Sequence, residues 1–192
     1  FGQILNLIHK KKCKKVLFAG KIDKPKISKI KLDLKGVYYI PRIIKAAKLG
    51  DAAILKELIK ILHENKIKVI KSNFFNPELT LSKGNYTKLK VNKLNQENIK
   101  IGLNDLNKMN SYNHVQGLVV RNKKIIIREN EKGTKKMLLL VKKQKKHSGI
   151  LIKFPKKRQD KRADLPTIGL ETLKDCSKAG INGIVLKSNQ NI

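Results

Sequence analysis

The chain has 192 residues, of which 40% are hydrophobic, and Lys plus Arg outnumber Asp plus Glu by 45 to 14, a formal net charge of +31. This apolar fraction excludes an ordinary disordered chain, and only two cysteines exclude a disulfide scaffold. Because no apolar run approaches the roughly 20 residues of a membrane-spanning helix, the composition predicts a soluble, globular and strongly basic protein.

The excess positive charge comes almost entirely from lysine, with 40 Lys against 5 Arg, and it is spread evenly along the chain. Strongly basic proteins often bind nucleic acid or an anionic membrane. The shortage of arginine disfavours a nucleic-acid reader, because Arg is the side chain that grips phosphates and guanine edges. Ile and Asn are also frequent, with 24 and 17 residues, so AT-rich codon usage is an alternative explanation of the charge.

The first half of the chain alternates short apolar runs with stretches of helical periodicity. Its predicted elements are, in chain order, helix 4–8, strand 16–19, a Pro- and Lys-rich loop 21–35, helix 37–49, helix 52–65 and strand 68–70. Asp51 is expected to cap the second of the two longer helices. Because two helices separate two short strands, this half predicts an α/β architecture.

A stretch rich in Asn, Lys, Thr and Ser follows at 72–95, and we place a domain boundary there, dividing the chain into residues 1–80 and 81–192. The predicted elements of the second part are helix 97–108, strands 115–120 and 124–128 joined as a hairpin, helix 134–146, strand 149–152, a polar loop 155–169, helix 170–179 and strand 181–186. This part is also expected to be α/β.

The polar loop contains the most informative residues. Asp160 and Asp164 lie four residues apart inside a run of cations, and two such carboxylates can hold a hard divalent cation such as Mg²⁺. Lys153 and Arg162 are suited to neutralise a polyphosphate. The alternative is that the two aspartates are solvated partners of Arg158 and Arg162, an arrangement that contributes little.

Two other places have the residue types of a phosphate site. Gly133 and Thr134 open a predicted helix, where exposed backbone N–H groups suit a phosphate; the alternative is that Thr134 only caps the helix. Gly20 and Lys21 follow a predicted strand, and ligands of open α/β sheets bind at the carboxyl ends of strands. Both signals are weak by themselves, because turns of this kind are common.

The segment from Gln159 to Gly169, with its Asp160, Arg162, Asp164 and Thr167, resembles the signature of the two-domain UDP-2,3-diacylglucosamine pyrophosphatases of bacterial lipid A biosynthesis. Blocks that agree with this family in order and spacing lie at 16–21, 33–36, 41–51, 131–137 and 179–184. The resemblance implies an incomplete Rossmann-like nucleotide-binding domain over 1–80 and an α/β catalytic domain over 81–192, truncated at its end.

The resemblance also implies a reaction, hydrolysis of the pyrophosphate bond of UDP-2,3-diacylglucosamine to UMP and lipid X (2,3-diacylglucosamine 1-phosphate), with Mg²⁺ as cofactor. The essential aspartate of the family matches Asp164, and Asp160 and Asp164 are the expected metal ligands. The residues expected to bind or support the substrate are Gly20, Lys21, Gly133, Thr134, Lys153, Gln159, Arg162 and Thr167.

The expected partners are the lipid-linked UDP-sugar and the inner face of the inner membrane of a Gram-negative bacterium, with homodimer formation left open and no specific nucleic acid. Cys13 and Cys176 are expected to be reduced thiols of a cytoplasmic, peripheral membrane protein. Because the chain begins at Phe1 and its last residues do not form a natural end, we expect a piece of a longer protein.

The sequence leaves two other functions open. One is a basic nucleic-acid-binding protein. The other is an inactive homologue that keeps only the fold, since Lys135 follows Gly133-Thr134 where the family has an aspartate, and Asn113-His114-Val115-Gln116 stands where the family has Asp-Val-Gly-Gln.

Overall fold

Helices and strands are interspersed along the chain, in a computed structural model that describes residues 2–20, 33–109, 115–142, 148–156 and 159–192. The predicted α/β class is confirmed. The chain divides into two compact units, which we call unit 1 (Phe1–Asn76 and Arg158–Asp164) and unit 2 (Pro77–Lys157 and Leu165–Ile192). The division into 1–80 and 81–192 stays a prediction.

Unit 1 is built on two short parallel strands separated by two helices. Its elements are α1 (Gly2–Lys10), β1 (Lys15–Leu17), α2 (Leu34–Ala47), α3 (Asp51–Glu64) and β2 (Lys68–Ile70). The strands pair with Val16 opposite Val69, and their parallel direction follows from the long helical connection between them. The predicted strand 68–70 is confirmed without change, whereas the predicted loop 21–35 lies mostly outside the described residues.

The core of unit 1 is aliphatic. Its buried members are Leu5, Ile59, Leu62, Ile67 and Val69. Ala163, from the second segment of this unit, packs against the same cluster. The Ser72 N–H also donates to the Arg162 carbonyl at 2.9 Å. Arg162 and Ala163 therefore contact the rest of unit 1, Ala163 by packing and Arg162 by a backbone hydrogen bond.

Unit 2 contains a four-stranded mixed sheet with the strand order β4-β3-β5-β6. Its elements are α4 (Lys93–Lys108), β3 (Gly117–Arg121), β4 (Lys124–Arg128), α5 (Gly133–Leu139), β5 (Ile150–Lys153), α6 (Leu170–Lys178) and β6 (Gly183–Leu186), with a short 3₁₀ turn at Pro77–Leu79. β3 is antiparallel to both β4 and β5, and β6 is parallel to β5. The predicted hairpin is confirmed, with its turn at Asn122 and Lys123.

Both faces of this sheet are covered. On one face Leu118 and Ile152 pack with side chains of α4, and a Cβ at Gly102 of that helix would collide with Ile152. On the other face Val119 and Leu151 pack with residues of α5 and α6. Because both faces are covered, β3 and β5 are buried along their whole length. Strands in this position need apolar residues on both faces.

Two helix starts differ from the predictions. α2 begins at Leu34 rather than at 37, because the Asp33 carboxylate accepts the Gly36 N–H at 2.6 Å and caps it. Asp51 is not an N-cap, so that prediction is wrong: the cap position is Gly50, at φ 100°, and Asp51 is the first helical residue. Positive φ at the cap favours glycine, so the chain turns there without a side-chain cap.

Two helices of unit 2 also differ in length from the predictions. α4 begins at Lys93, four residues early, because Asn92 caps it through the Asn95 N–H. α5 ends at Leu139, so helix 134–146 is wrong over residues 140–142; residues 143–147 lie outside the described part. Val141 lies in the core, and the Arg121 guanidinium donates to the Lys142 carbonyl.

None of the helices within the described ranges has both the length and the apolarity needed to cross a membrane.

The two cysteines are free thiols, as predicted. Cys13 is exposed and Cys176 is buried. Burial raises the pKa of the Cys176 thiol to about 11, so this group stays protonated and unreactive near neutral pH.

Candidate functional site

The aspartate pair of the sequence motif lies on a single turn of backbone in unit 1. The Asp160 carbonyl accepts the N–H groups of both Ala163 and Asp164 at 3.1 Å. This i to i+4 closure is the hydrogen bond of one helical turn, in which residues four apart lie on the same side. The spacing of Asp160 and Asp164 is therefore matched by a local backbone structure.

Within this turn the Asp160 carboxylate is bound by Arg162. Arg162 donates from its backbone N–H at 3.0 Å, from Nε at 2.9 Å and from Nη2 at 2.7 Å. The Arg162 guanidinium thereby holds the pKa of Asp160 below its ordinary value. The Asp160–Arg162 pair of the alternative interpretation is present, while Arg158 lies outside the described residues, so the alternative for the two aspartates together stays open.

The other predicted site residues of unit 1 are Gly20, Lys21, Gln159 and Asp164. Gly20 follows β1 with φ 88°, a conformation that favours glycine, and Lys21 lies outside the described residues. The side chain of Gln159 is buried, at 5% exposure, and Asp164 is half-buried. The roles predicted for these four residues stay predictions.

In unit 2 the structure brings three of the predicted site residues together. Lys153, the last residue of β5, is buried, and its ammonium donates to the Thr134 hydroxyl at 2.8 Å and to the Thr167 carbonyl at 3.2 Å. The neighbouring Gly133 is the first residue of α5, at φ 79°. The Lys153 ammonium thus donates to one oxygen from the start of α5 and to another near the end of the predicted polar loop.

Sequence reasoning missed one member of this cluster, Glu129. Its carboxylate accepts the Thr134 hydroxyl proton at 3.0 Å and is only 7% exposed. Burial raises the pKa of Glu129, while the nearby Lys153, the Thr134 hydroxyl and Lys156 act in the opposite direction. The only signal in the sequence is an acidic residue directly after a β-branched strand, which is weak because such residues are usually exposed.

The alternative that Thr134 is only an N-cap is wrong. The cap position of α5 is Lys132, and it makes no side-chain cap hydrogen bond. Instead, the Thr134 hydroxyl donates to the Glu129 carboxylate and accepts from the Lys153 ammonium. Phosphate binding at this helix start stays a prediction.

The carboxylate chemistry of the turn in unit 1 suits Mg²⁺, which commonly uses one or two carboxylates and completes its shell with water and phosphate oxygens. Within the described ranges, this turn included, no cluster of three or more His, Cys, Asp or Glu side chains forms a ready cation site. Both oxygens of Asp160 already accept from Arg162. Metal binding by Asp160 and Asp164 stays a prediction.

Comparison with known proteins covers nearly the whole chain. Residues 1–79 match the model of the LpxI N-terminal domain, and residues 82–192 match that of the LpxI C-terminal domain. The chain is 29% identical to the UDP-2,3-diacylglucosamine pyrophosphatase LpxI of Caulobacter vibrioides, over 96% of this chain and 69% of the relative. The second model alone covers more than half of the chain, and the chain belongs to the LpxI family.

Proposed function

We propose that this chain hydrolyses the pyrophosphate bond of UDP-2,3-diacylglucosamine and releases UMP and 2,3-diacylglucosamine 1-phosphate, lipid X, in lipid A biosynthesis. The observation that carries the proposal is the match to both LpxI domain models, together with the similarity of 96% of the chain to a relative named as a UDP-2,3-diacylglucosamine pyrophosphatase. The resemblance of the Gln159–Gly169 segment to the family's signature supports it as well.

Two cations among the predicted site residues, one in each unit, suit a pyrophosphate substrate. In hydrolysis of a phosphoric anhydride, negative charge builds up on the phosphoryl oxygens and on the leaving phosphate. Lys153, buried and hydrogen-bonded, is a preorganised cation of the kind that stabilises such charge. Arg162 is a second cation, but its guanidinium is already paired with Asp160, so it orders the turn in addition to any contact with substrate.

Mg²⁺ is part of the proposal. The Asp164 carboxylate would hold the ion, and Asp160 would join it beside its contacts to Arg162, because a carboxylate has about four acceptor sites. When bound, the ion would supply a Lewis acid that polarises phosphoryl oxygens and orients water. The remaining residues of the proposal, Gln159 and Thr167 above all, would orient the substrate.

The proposed place of action is the cytoplasmic face of the inner membrane, because the substrate carries acyl chains. The net charge of +31 supports this, since each Lys or Arg near an anionic bilayer contributes about 1 kcal/mol to binding.

The test is release of UMP from UDP-2,3-diacylglucosamine in detergent micelles, followed by mass spectrometry with and without Mg²⁺. We expect Mg²⁺-dependent turnover by the wild-type chain and a loss of about a thousandfold in Asp164→Ala. The control is Asp105→Ala, which removes a carboxylate from a surface pair with Arg128 and should change turnover less than about twofold.

The outcomes separate the three candidate functions. Absence of UMP release in every condition contradicts the proposal and leaves the inactive homologue. Salt-sensitive binding of unrelated RNA or DNA, as tight as binding of the lipid nucleotide, would favour the nucleic-acid-binding protein. Full turnover by Asp164→Ala would contradict the assignment of this residue.

A further inference from the structure

The buried cluster of unit 2 forms a chain of hydrogen bonds with a fixed direction. An ammonium only donates and an ionised carboxylate only accepts. The Thr134 hydroxyl between them therefore gives its one proton to Glu129 at 3.0 Å and turns its lone pairs to Lys153 at 2.8 Å. A valine at this position would have the same shape and could do neither.

The backbone brings the two ends of this chain of hydrogen bonds close together. In the sheet, Gly117 of β3 lies opposite Lys153 of β5. The Glu129 N–H donates to the Gly117 carbonyl at 2.8 Å, and a Cβ on Gly117 would lie 2.9 Å from Glu129 Oε2. The glycine thus leaves the space that the Glu129 carboxylate occupies beside the strand end.

A second contact restrains the Lys153 ammonium, which also donates to the Thr167 carbonyl at 3.2 Å. The backbone of Lys153 is held as well, because its carbonyl accepts the Asn191 side-chain N–H at 3.1 Å. A flexible lysine side chain loses much rotamer freedom when it is held in this way. Holding the charge in one place favours a reaction that depends on its position, because small displacements of a reacting group lower the rate by up to about a hundredfold.

We propose that Glu129 is a positioning residue of the pyrophosphatase: through the Thr134 hydroxyl it holds the Lys153 ammonium at the place where that cation stabilises charge on the phosphoryl oxygens of the substrate. Glu129 itself does not touch the substrate. This inference rests on the proposed function and adds to it a residue pair that orients the phosphate-binding cation.

The test uses the 192-residue chain and the same UMP-release assay, with kcat and KM measured separately. The variants are Glu129→Gln, which keeps an acceptor but removes the charge, and Thr134→Val and Thr134→Ser, which remove and keep the hydroxyl. The charge-matched control is Glu171→Gln, an exposed residue of α6 that pairs with Lys174. Thermal unfolding is recorded for each variant to show that it folds.

We expect kcat to fall about 10- to 100-fold in Thr134→Val and about tenfold in Glu129→Gln, with KM changed less than about threefold, because a misplaced cation loses charge stabilisation mainly in the transition state. Thr134→Ser should recover kcat to within about threefold of the wild type. Glu171→Gln should match the wild type within about twofold.

A second readout follows Lys153 directly. The Nζ signal of ¹⁵N-labelled lysine, assigned by its loss in Lys153→Arg, should be protected from solvent exchange in the wild type and in Thr134→Ser. It should be lost in Thr134→Val. If Thr134→Val does not fold, Glu129→Gln and Thr134→Ser decide the question by kcat.

The failures are distinguishable. Wild-type turnover with unchanged kcat in folded Glu129→Gln and Thr134→Val overturns the positioning role and leaves the proposed function standing. A fall in folding stability of these variants without a fall in kcat overturns it too, because the cluster would then be only structural. Absence of UMP release by the wild type overturns the proposed function itself.

Discussion

Asp160 and Glu129 are two carboxylates with opposite surroundings. Asp160 is partly exposed and is paired by Arg162, two residues away in the chain. Glu129 is buried, and its contacts come from α5 and from the end of β5. The pKa of Asp160 is lowered by its pairing with Arg162, whereas the pKa of Glu129 is raised by burial.

The difference separates local from tertiary electrostatics. A pair formed within one turn of backbone depends on few other contacts and is partly screened by water, so it adds little to stability. A buried group depends on every element that contributes a partner, and removing one partner leaves another without compensation. The two regions should therefore respond differently to substitution and to pH.

The largest effect is expected from Lys153→Met, which removes the ammonium from the buried cluster. Two hydrogen bonds are lost and Glu129 keeps its buried position without the neighbouring cation, so we expect the free energy of unfolding to fall by about 3 kcal/mol. Urea denaturation measures it. The matched control is Lys174→Met, at an exposed pair with Glu171, where a loss below about 0.5 kcal/mol is expected. Equal losses in both variants would contradict the comparison.

The pH dependence of stability should have opposite signs in the two regions. Because the folded pKa of Glu129 lies above its ordinary value of 4.5, the stability of the wild type relative to Glu129→Gln should be greatest at low pH and fall as pH rises above about 4.5. Because the folded pKa of Asp160 lies below its ordinary value of 3.8, the stability relative to Asp160→Asn should be complete above pH 3.8 and fall as pH drops below it.

These curves are obtained from unfolding free energies in urea between about pH 3 and 7, for the wild type and both amide variants. Two difference curves of the same sign would show that Glu129 and Asp160 do not have the opposite environments described above.

The smallest effect is expected from Arg162→Met. It removes the guanidinium from Asp160 but leaves the backbone bonds of the turn and the Ser72 contact in place. The free energy of unfolding should fall by less than about 1 kcal/mol, as for other partly exposed ion pairs. A loss as large as that of Lys153→Met, under the same urea denaturation, would show that this turn is not a local structure.

Much of the fold could be predicted from the sequence where local chemistry decides it. The β-branched run at 68–70 and the hairpin around Asn122 and Lys123 are confirmed, because β-branched residues form the strands and Asn122 readily adopts the positive φ of the turn. Helix starts were less predictable. Asp33 and Asn92 are the caps in the structure, but no periodicity distinguishes a capping Asp or Asn from the many others in this chain.

The candidate site could be predicted only in part, for the same reason. The Asp160 and Asp164 spacing is local, and in the structure a single turn within the predicted polar loop joins the two residues. Glu129, Thr134 and Lys153 meet only because β3 lies between β4 and β5 in the sheet. The strand order that creates this cluster is a property of the tertiary structure, and the pattern of residues around Glu129 contains no trace of it.

The membership of Arg158–Asp164 in unit 1 has a consequence for how this protein is made. At roughly 5 to 20 residues per second, this segment leaves the ribosome on the order of ten seconds after Asn76, with most of unit 2 synthesised between them. Until then the core position of Ala163 and the hydrogen bond from Ser72 are missing from unit 1. The nascent first unit therefore has an incomplete core during this interval. Its exposed apolar surface would be accessible to a chaperone until the second segment is synthesised.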